Sequence, residues 1–390
     1  MKILVTTASW KSALAVMISL ARQGHEISLI GEDPSLAHLH SKYCHQAFIS
    51  PHERNKEAYI NFILDLLSSQ KFDLIIPISD SCIEYFSQIR EKILTYTKLM
   101  IPSKEQVELA RNKANTYRFA MDNGIPIPKT FFPKDFQDAG RLAKAMNYPC
   151  VVKHPDGTGG NGNVYPKSYS ELVTYYRNLT KSPLPVIQEH IHGRFLGYTA
   201  VCNKGEVLAS FLFEPIRQYP EKGGITVYAH SLIDEKATAI STDLIKKLQW
   251  TGPIDLDYFL LKDGKFLLLE INPRFSGTIL FAYHCGIDLP RVYLDMVQGT
   301  YSENHSQRKL NMTYRSIFSE EISSCLENRT HIRSFFSNFL RPRVCYDFSI
   351  SDPKLLLWQI KNAKWVIDRH KKRNCSLISQ NKDYYETNNN

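Results

Sequence analysis

Residues 264–277 read GKFLLLEINPRFSG, from Gly264 to Gly277. Four apolar residues, Phe266 to Leu269, run into Glu270, and Asn272 follows two positions later with Pro273 and Arg274 directly behind. On a strand, residues two apart point to the same face. A carboxylate and an amide oxygen therefore face one way at the end of an apolar run, with a guanidinium beside them. Hard oxygen ligands of this kind suit Mg²⁺, which takes few carboxylates and completes its shell with substrate phosphates. Arg274 suits a phosphoryl or acyl-phosphate oxygen. The same window also reads as a core strand ending in a solvated polar turn, so the decision lies in what surrounds it.

Upstream, Asp263-Gly264 is a strong turn signal between Asp257–Leu261 and Phe266–Ile271, which predicts a hairpin. Antiparallel pairing sets Asp257 across from Glu270, and Asp255 falls on the same face. Like charges held this close are unfavourable without a cation, so Asp257, Glu270 and Asn272 are candidate metal ligands. Further upstream, Tyr148–Lys153 (YPCVVK) is a short strand ending in lysine, followed by the glycine-rich run Gly157 to Gly162 (GTGGNG). A strand-end lysine can reach phosphate oxygens, and a glycine loop lets backbone N–H groups cover them. It is not a Walker A loop, because GxxxxGK[ST] is absent, and a plain surface hairpin loop remains the other reading. Lys113 lies in a helical stretch predicted over Glu105–Asn123 and stopped by Ile-Pro-Ile-Pro. Val186–Ile191 (VIQEHI) reads by itself as an ordinary strand entering a turn at His192-Gly193, and its backbone could also meet an adenine edge.

The chain begins with βαβ spacing. Lys2–Thr7 and Glu26–Ile30 are strand-like, the helix Ser12–Gln23 lies between them, and Gly24 closes it. Phe72–Ile78 (FDLIIPI) is another buried-type strand with Asp80 at its carboxyl end, where open α/β sheets bind ligands. Asp80 reads either as a substrate contact or as the cap of a helix starting at Cys82. No GxGxxG follows the first strand, where the sequence is TTASWKSA, which argues against a dinucleotide site. Phe136–Met146, Leu172–Leu179 and Ser241–Trp250 are helical, residues 197–213 and 225–230 have β character, and no internal repeat is present.

A length of 390 residues predicts two or three domains, and 43% hydrophobic with 22% charged residues fits a globular protein. No run has the length of a membrane span, and Trp10, Lys11 and Ser12 interrupt the one N-terminal patch that could imitate a signal peptide. Eight cysteines are scattered without a CxxC pair, which points to a reducing compartment and a cytoplasmic location. Of the net charge of +9, residues 301–390 contribute +6 (15 Lys/Arg against 9 Asp/Glu). Basic residues there are interleaved with Phe335, Phe336, Phe339, Trp358 and Trp365, a mixture that can bind phosphate backbones. Leu355–Ile367 nevertheless has helical apolar spacing, so docking on the body is favoured over nucleic-acid binding.

The order of these features is informative. Lys113 is followed by Lys153 with its glycine loop, a hinge-type strand, Asp257, and Glu270-x-Asn272-x-Arg274. This series resembles the ATP-grasp superfamily, in particular its carbamoyl-phosphate-synthase-like carboxylate–amine ligases. Further matches are GIPIPKT, Arg217-Gln-Tyr-Pro with Gly223-Gly224, WTGPIDLDYF and GIDLP, and the likeness spans residues 1 to about 298. It implies an α/β fold, α+β in the ATP-grasp part. A parallel-sheet pre-ATP-grasp domain (1–100) would precede a two-lobed ATP-grasp domain (101–300), with a flap lobe over about 115–185 and a metal-binding lobe over about 186–300. A basic, helical, docked region (301–380) and a disordered tail (381–390) would follow.

The resemblance also implies roles. Lys113 and Lys153 would bind ATP phosphates, with Gly157, Thr158, Gly159, Gly160 and Gly162 as the flap over them. Glu189, His190 and Ile191 would form the adenine hinge. Asp257, Glu270 and Asn272 would hold two Mg²⁺ (or Mn²⁺) ions. Arg274, with Lys153, would be catalytic, stabilising the transferred phosphoryl group. Arg217, Gly223, Gly224 and Asp80 would be the substrate-side residues. The implied reaction activates a small carboxylate as an acyl phosphate, releases ADP and joins the acyl group to an amine. Phosphotransfer or regulatory nucleotide binding on the same fold is the alternative. Two departures stand out. Phe195 occupies the neighbourhood of a common ribose-binding glutamate, and the first metal ligand is Asp257 rather than the commoner Glu. Oligomeric state is left open.

Overall fold

A computed structural model of the chain describes residues 1–155, 162–179, 183–221, 224–302, 309–328, 330–337 and 343–361, with positions 363 and 368. The tail 381–390 lies outside the described residues.

The N-terminal part of the chain forms a four-stranded sheet of order β3-β2-β1-β4, built from β1 (Lys2–Val5), β2 (Glu26–Gly31), β3 (Gln46–Ile49) and β4 (Leu74–Ile76). Every pairing is parallel, as the βαβ spacing requires. The first crossover is the helix Lys11–Arg22, after which Gly24 turns the chain at φ +85°, a conformation that L side chains adopt only with strain. One face of the sheet packs Ile3, Val5 and Leu29 against that helix, and the other packs Leu4, Ile30 and Ile75 against Tyr59, Ile63 and Phe86. The strands are buried on both faces, which is why they read as unbroken apolar runs rather than alternating ones.

The predicted helix over Glu105–Asn123 is two helices, Lys104–Arg111 and Lys113–Asp122. Asn112 is extended between them (φ −105°, ψ 108°), and its side chain accepts the backbone N–H of Asn115 as an N-cap. The backbone N–H of Lys113 donates to Pro155 O at 3.0 Å, outside the helix, so the break ties Lys113 to the strand before the glycine loop.

A small antiparallel sheet follows, of order β5-β7-β6: β5 (Thr130–Phe131), β6 (Cys150–Lys153) and β7 (Val186–Glu189). With helices Phe136–Ala143 and Tyr169–Arg177 it forms a lobe with its own core of Ala143, Val152, Leu172 and Ile187. Strand β7, expected to open the metal-binding lobe, belongs to this one, since Val186–Glu189 pairs with Cys150–Lys153.

The largest sheet has seven strands in the order β12-β11-β8-β9-β10-β13-β14. Its members are β8 (Arg194–Asn203), β9 (Glu206–Tyr219), β10 (Ile225–Leu232), β11 (Gly252–Leu260), β12 (Phe266–Asn272), β13 (Thr313–Arg315) and β14 (Val344–Tyr346). The last two come from the region expected to be helical. That region does contain helices (Ile322–Glu327, Thr330–Ser337 and residues 353–361), but its two short strands extend the sheet beyond β10. Tyr314, Cys345 and Leu355 join the same core as Ile3, Phe275 and Phe281, so residues 313–355 complete the body rather than hang from it. The seven described cysteines are free, and no helix among the described residues is long and apolar enough to cross a membrane.

Candidate active site

The hairpin of β11 and β12 forms with the expected register: Asp257 lies opposite Glu270, and Asp255 opposite Asn272. Alternation sends Ile254, Leu256 and Ile271 into the core, so these four polar residues share the other face. A register shift follows Asp257, a bulge that sequence alternation does not announce. Gly264 turns the hairpin at φ +81°.

Two cations approach this face. Lys113, almost fully buried, places Nζ 2.9 Å from Glu270 Oε1. Lys153, at the end of β6, donates to the Tyr117 hydroxyl at 2.9 Å, and that hydroxyl donates to Leu269 O at 2.8 Å, next to Glu270. Tyr117 thus fastens the strand-end lysine to the metal-candidate strand, a role that no local pattern in the sequence suggested. Burial holds the Lys153 ammonium down to about 8, with Glu270, Tyr165 and Asp257 acting against that shift.

The carboxylates carry the opposite strain. Burial pushes Asp257 well above the usual carboxylate range, and the charges of Asp255 and Glu270 push it further. Burial lifts Asp255 to about 6, against the pull of Arg274. Asp255 Oδ1 is buried and has no hydrogen-bond partner among the described residues. Asn272 Nδ2 donates to Asp257 Oδ2 at 3.4 Å, and its amide oxygen accepts from no described residue. Crowded carboxylates, an unsatisfied oxygen and an open amide oxygen are a donor set that fits a hard divalent cation. Among the described residues no three His, Cys, Asp or Glu side chains form a metal-binding group by themselves. Mg²⁺ is usually held by one or two carboxylates together with substrate phosphates, so oxygens from a ligand would complete its shell here.

Arg274 emerges just beyond β12. Burial disfavours its charge, but Asp80, Asp255 and Asp257 together hold the guanidinium firmly ionised. Nε lies 3.3 Å from Asp80 Oδ2 and Nη1 lies 3.3 Å from Asp255 Oδ2, with the ring of Trp10 5.2 Å away.

This geometry has known counterparts. A family model described as the ATP-grasp domain matches residues 110–278, the span from the last turn before Lys113 to just past Arg274. Over that span the chain is similar to an ATP-grasp domain. It is 24% identical over 212 residues to the carbamoyl phosphate synthase large chain of a Thermoanaerobacter strain, covering 52% of this chain and 20% of that one. It is 25% identical over 233 residues to N5-carboxyaminoimidazole ribonucleotide synthase of Saccharolobus solfataricus, 58% of this chain and 62% of that one. The chain therefore spans about a fifth of the synthase large chain and under two thirds of the ribonucleotide synthase. Among solved structures, biotin carboxylase of Campylobacter jejuni superposes with a TM-score of 0.64 at 18% identity, covering 80% of this chain and 74% of that one. The L-amino acid ligase of Bacillus licheniformis gives 0.60 at 16% identity, covering 80% and 78%.

The expected hinge follows β7, whose lobe meets β12 through the Lys153–Tyr117–Leu269 link. Glu189 is fixed by its N–H to Lys129 O at 2.8 Å, and the His190 ring packs edge-on to Tyr165 and His192. Phe195 packs edge-on against Phe259. Of the flap residues, Gly162 is described, at φ +77°, while Gly157, Thr158, Gly159 and Gly160 lie outside the described residues.

The substrate-side residues divide. Asp80 is drawn into the site through Arg274. It is not the helix cap, because Ser79 accepts from Cys82 N at that place and Asp80 is the first helical residue. Arg217 is not beside the hairpin carboxylates. It pairs with buried Glu321 at 3.2 Å and donates to Ser334. Gly224 packs so closely on the Tyr219–Pro220 backbone that a Cβ would collide with it, while Gly223 lies outside the described residues.

Proposed function

We propose that this chain is an ATP-dependent, ADP-forming ligase that activates a small carboxylate as an acyl phosphate and joins it to an amine. The observation that carries the reading is the convergence of Lys113, Lys153, Asp257, Glu270, Asn272 and Arg274 on one polar face. None of these residues is a protein nucleophile with an activating base. They are cations and oxygen donors, the complement that phosphoryl transfer needs, where positioning and charge neutralisation dominate.

In this scheme Lys153 and Lys113 neutralise phosphate oxygens, and Lys113 exchanges its present partner Glu270 for the nucleotide. Asp257, Glu270 and Asn272 would hold two Mg²⁺ ions, which when bound offset charge on the phosphates and leaving ADP. The substrate carboxylate attacks the γ-phosphorus, the bond to the β–γ bridging oxygen breaks, and ADP departs. Arg274 faces the transferred group. The amine then attacks the acyl carbon, phosphate leaves, and the ammonium proton is lost to solvent or phosphate. The carboxylate, the amine and any second copy of the chain are partners of the same proposal.

The deciding experiment incubates the protein with ATP, Mg²⁺ and pools of amino acids and small acids, and reads products by mass spectrometry. ADP with a condensed product is expected, abolished in Glu270→Ala. A phosphorylated product without condensation would move the reading to phosphotransfer. Background ADP release with unchanged nucleotide affinity in Glu270→Ala would sink it.

A further inference from the structure

We propose that Asp80 is a positioning residue for Arg274, through which the N-terminal sheet region sets the orientation of the guanidinium at the phosphoryl site. The inference rests on the phosphoryl role of Arg274 proposed above.

Asp80 opens the helix Asp80–Gln88. Its place is fixed from behind, since Ser79 Oγ caps that helix and donates to Glu53 Oε2 at 2.7 Å, within the N-terminal sheet region. From there Asp80 Oδ2 accepts from Arg274 Nε at 3.3 Å, across 194 residues of sequence. Its other oxygen stands 3.8 Å from Arg111 Nη1, so one carboxylate lies between two arginines from outside that region.

Arg274 is held on three sides. Nε is taken by Asp80, and Nη1 by Asp255 and by Phe275 O at 3.1 Å. Trp10, the residue before the first helix, lies 5.2 Å from the guanidinium carbon. Nη2 donates to no described residue. A single contact at Nη1 would leave the plane free to swing about that bond. Carboxylates on two edges, with a ring nearby, fix both the plane and the edge that remains. Donors fixed in advance need no reorganisation when charge develops, which is where such groups gain their catalytic effect. Because Asp80 and Trp10 come from the N-terminal sheet region and Arg274 from just beyond β12, Arg274 is correctly aimed only while the core shared by these parts stays packed.

Charge alone makes the opposite forecast. Removing Asp80 raises the net positive charge at the site, which would tighten anion binding and speed the reaction. The positioning role instead depends on a hydrogen-bond acceptor at that place, charged or not. Steady-state kinetics should show kcat of Asp80→Ala falling about tenfold or more with KM for ATP unchanged. Asp80→Asn, which keeps the acceptor, should return to within about threefold of the parent. In an Arg274→Lys background, Asp80→Ala should add less than about twofold. Thermal midpoints and MgATP binding of the same variants report folding.

Unchanged or raised kcat in Asp80→Ala, or an equal loss in the Arg274→Lys background, overturns the proposal. If no acceptor supports turnover, the ligase reading fails separately, and the positioning is read from the ¹⁵N-labelled Arg274 Nε–H signal, assigned by its absence in Arg274→Lys. Slow exchange in the parent and in Asp80→Asn, lost in Asp80→Ala, supports it. Persistence in Asp80→Ala overturns it.

Discussion

At the scale of single residues, Lys113 and Lys153 differ in ways their sequence context hides. Both sit after short polar or apolar stretches of ordinary appearance. Lys113 is satisfied by Glu270 at 2.9 Å, whereas Lys153 has a neutral phenol as its hydrogen-bond partner. Lys153 is therefore the more strained cation. Its folded pKa lies near about 8, below the usual 10.5, so between these values the unfolded chain binds more protons and stability rises with pH. Below pH 8 the strain is present in full. Lys153→Met should accordingly melt higher than the parent at pH 7, with the gap closing towards pH 10, while its MgATP affinity drops by about tenfold or more. Calorimetric melts and titrations over that range test both halves. Tyr117→Phe should destabilise by about 1–2 kcal/mol, because it strands Lys153 and frees Leu269 O, and urea unfolding measures it. Tyr117 was invisible in the sequence because an aromatic residue in a helix carries no signature beyond burial. The hairpin was legible from Asp263-Gly264, but the register next to the turn pairs Tyr258 with Leu268, and it is the shift after Asp257 that sets Asp257 opposite Glu270.

At the scale of elements, the break at Asn112 is the feature the sequence concealed. One asparagine costs a helix interior only about 0.5–0.7 kcal/mol, which the helix formers around it outweigh, so ARNKAN reads as continuous helix. What splits it is tertiary: the Lys113 N–H goes to Pro155 O, and Asn112 then caps the second helix. Asn112→Ala should cost about 1 kcal/mol of stability. It should also weaken nucleotide binding more than an exposed cap elsewhere, such as Asp135→Ala, because it loosens the first turn that carries Lys113. Comparing the MgATP affinities of the two variants decides it. The strands β1, β2, β6, β11 and β12 were legible from apolar runs bounded by turns. The bulge after Asp257 was not, since one displaced residue leaves alternation intact on either side.

At the scale of the whole molecule, the region after residue 300 showed helical spacing over Leu355–Ile367 but no sign of β13 and β14, whose three residues each are too short to announce themselves. Its anchor is a buried ion pair: Arg315 and Glu321 are almost fully enclosed, 2.8 Å apart, with Arg217 as a third member. Among the described residues, Glu321 is the carboxylate that both arginines meet. Glu321→Gln should destabilise the protein by about 3–5 kcal/mol, seen as a lowered urea midpoint. Asp80 and Arg274, far apart in sequence, show the same limit, because contacts between such distant residues leave no periodic trace.

The attachment of β13 to β10 also bears on how the chain is made. Until residues 313–315 exist, β10 presents a bare row of N–H and C=O groups on its outer edge. At about 5–20 residues per second, synthesis from the end of β10 to β13 leaves that edge exposed for on the order of 4–17 s. During this interval the nascent sheet is a template for any other extended segment, including the β10 of a neighbouring nascent chain. A chain stopped at residue 300, with that edge left bare, should precipitate where the full chain does not.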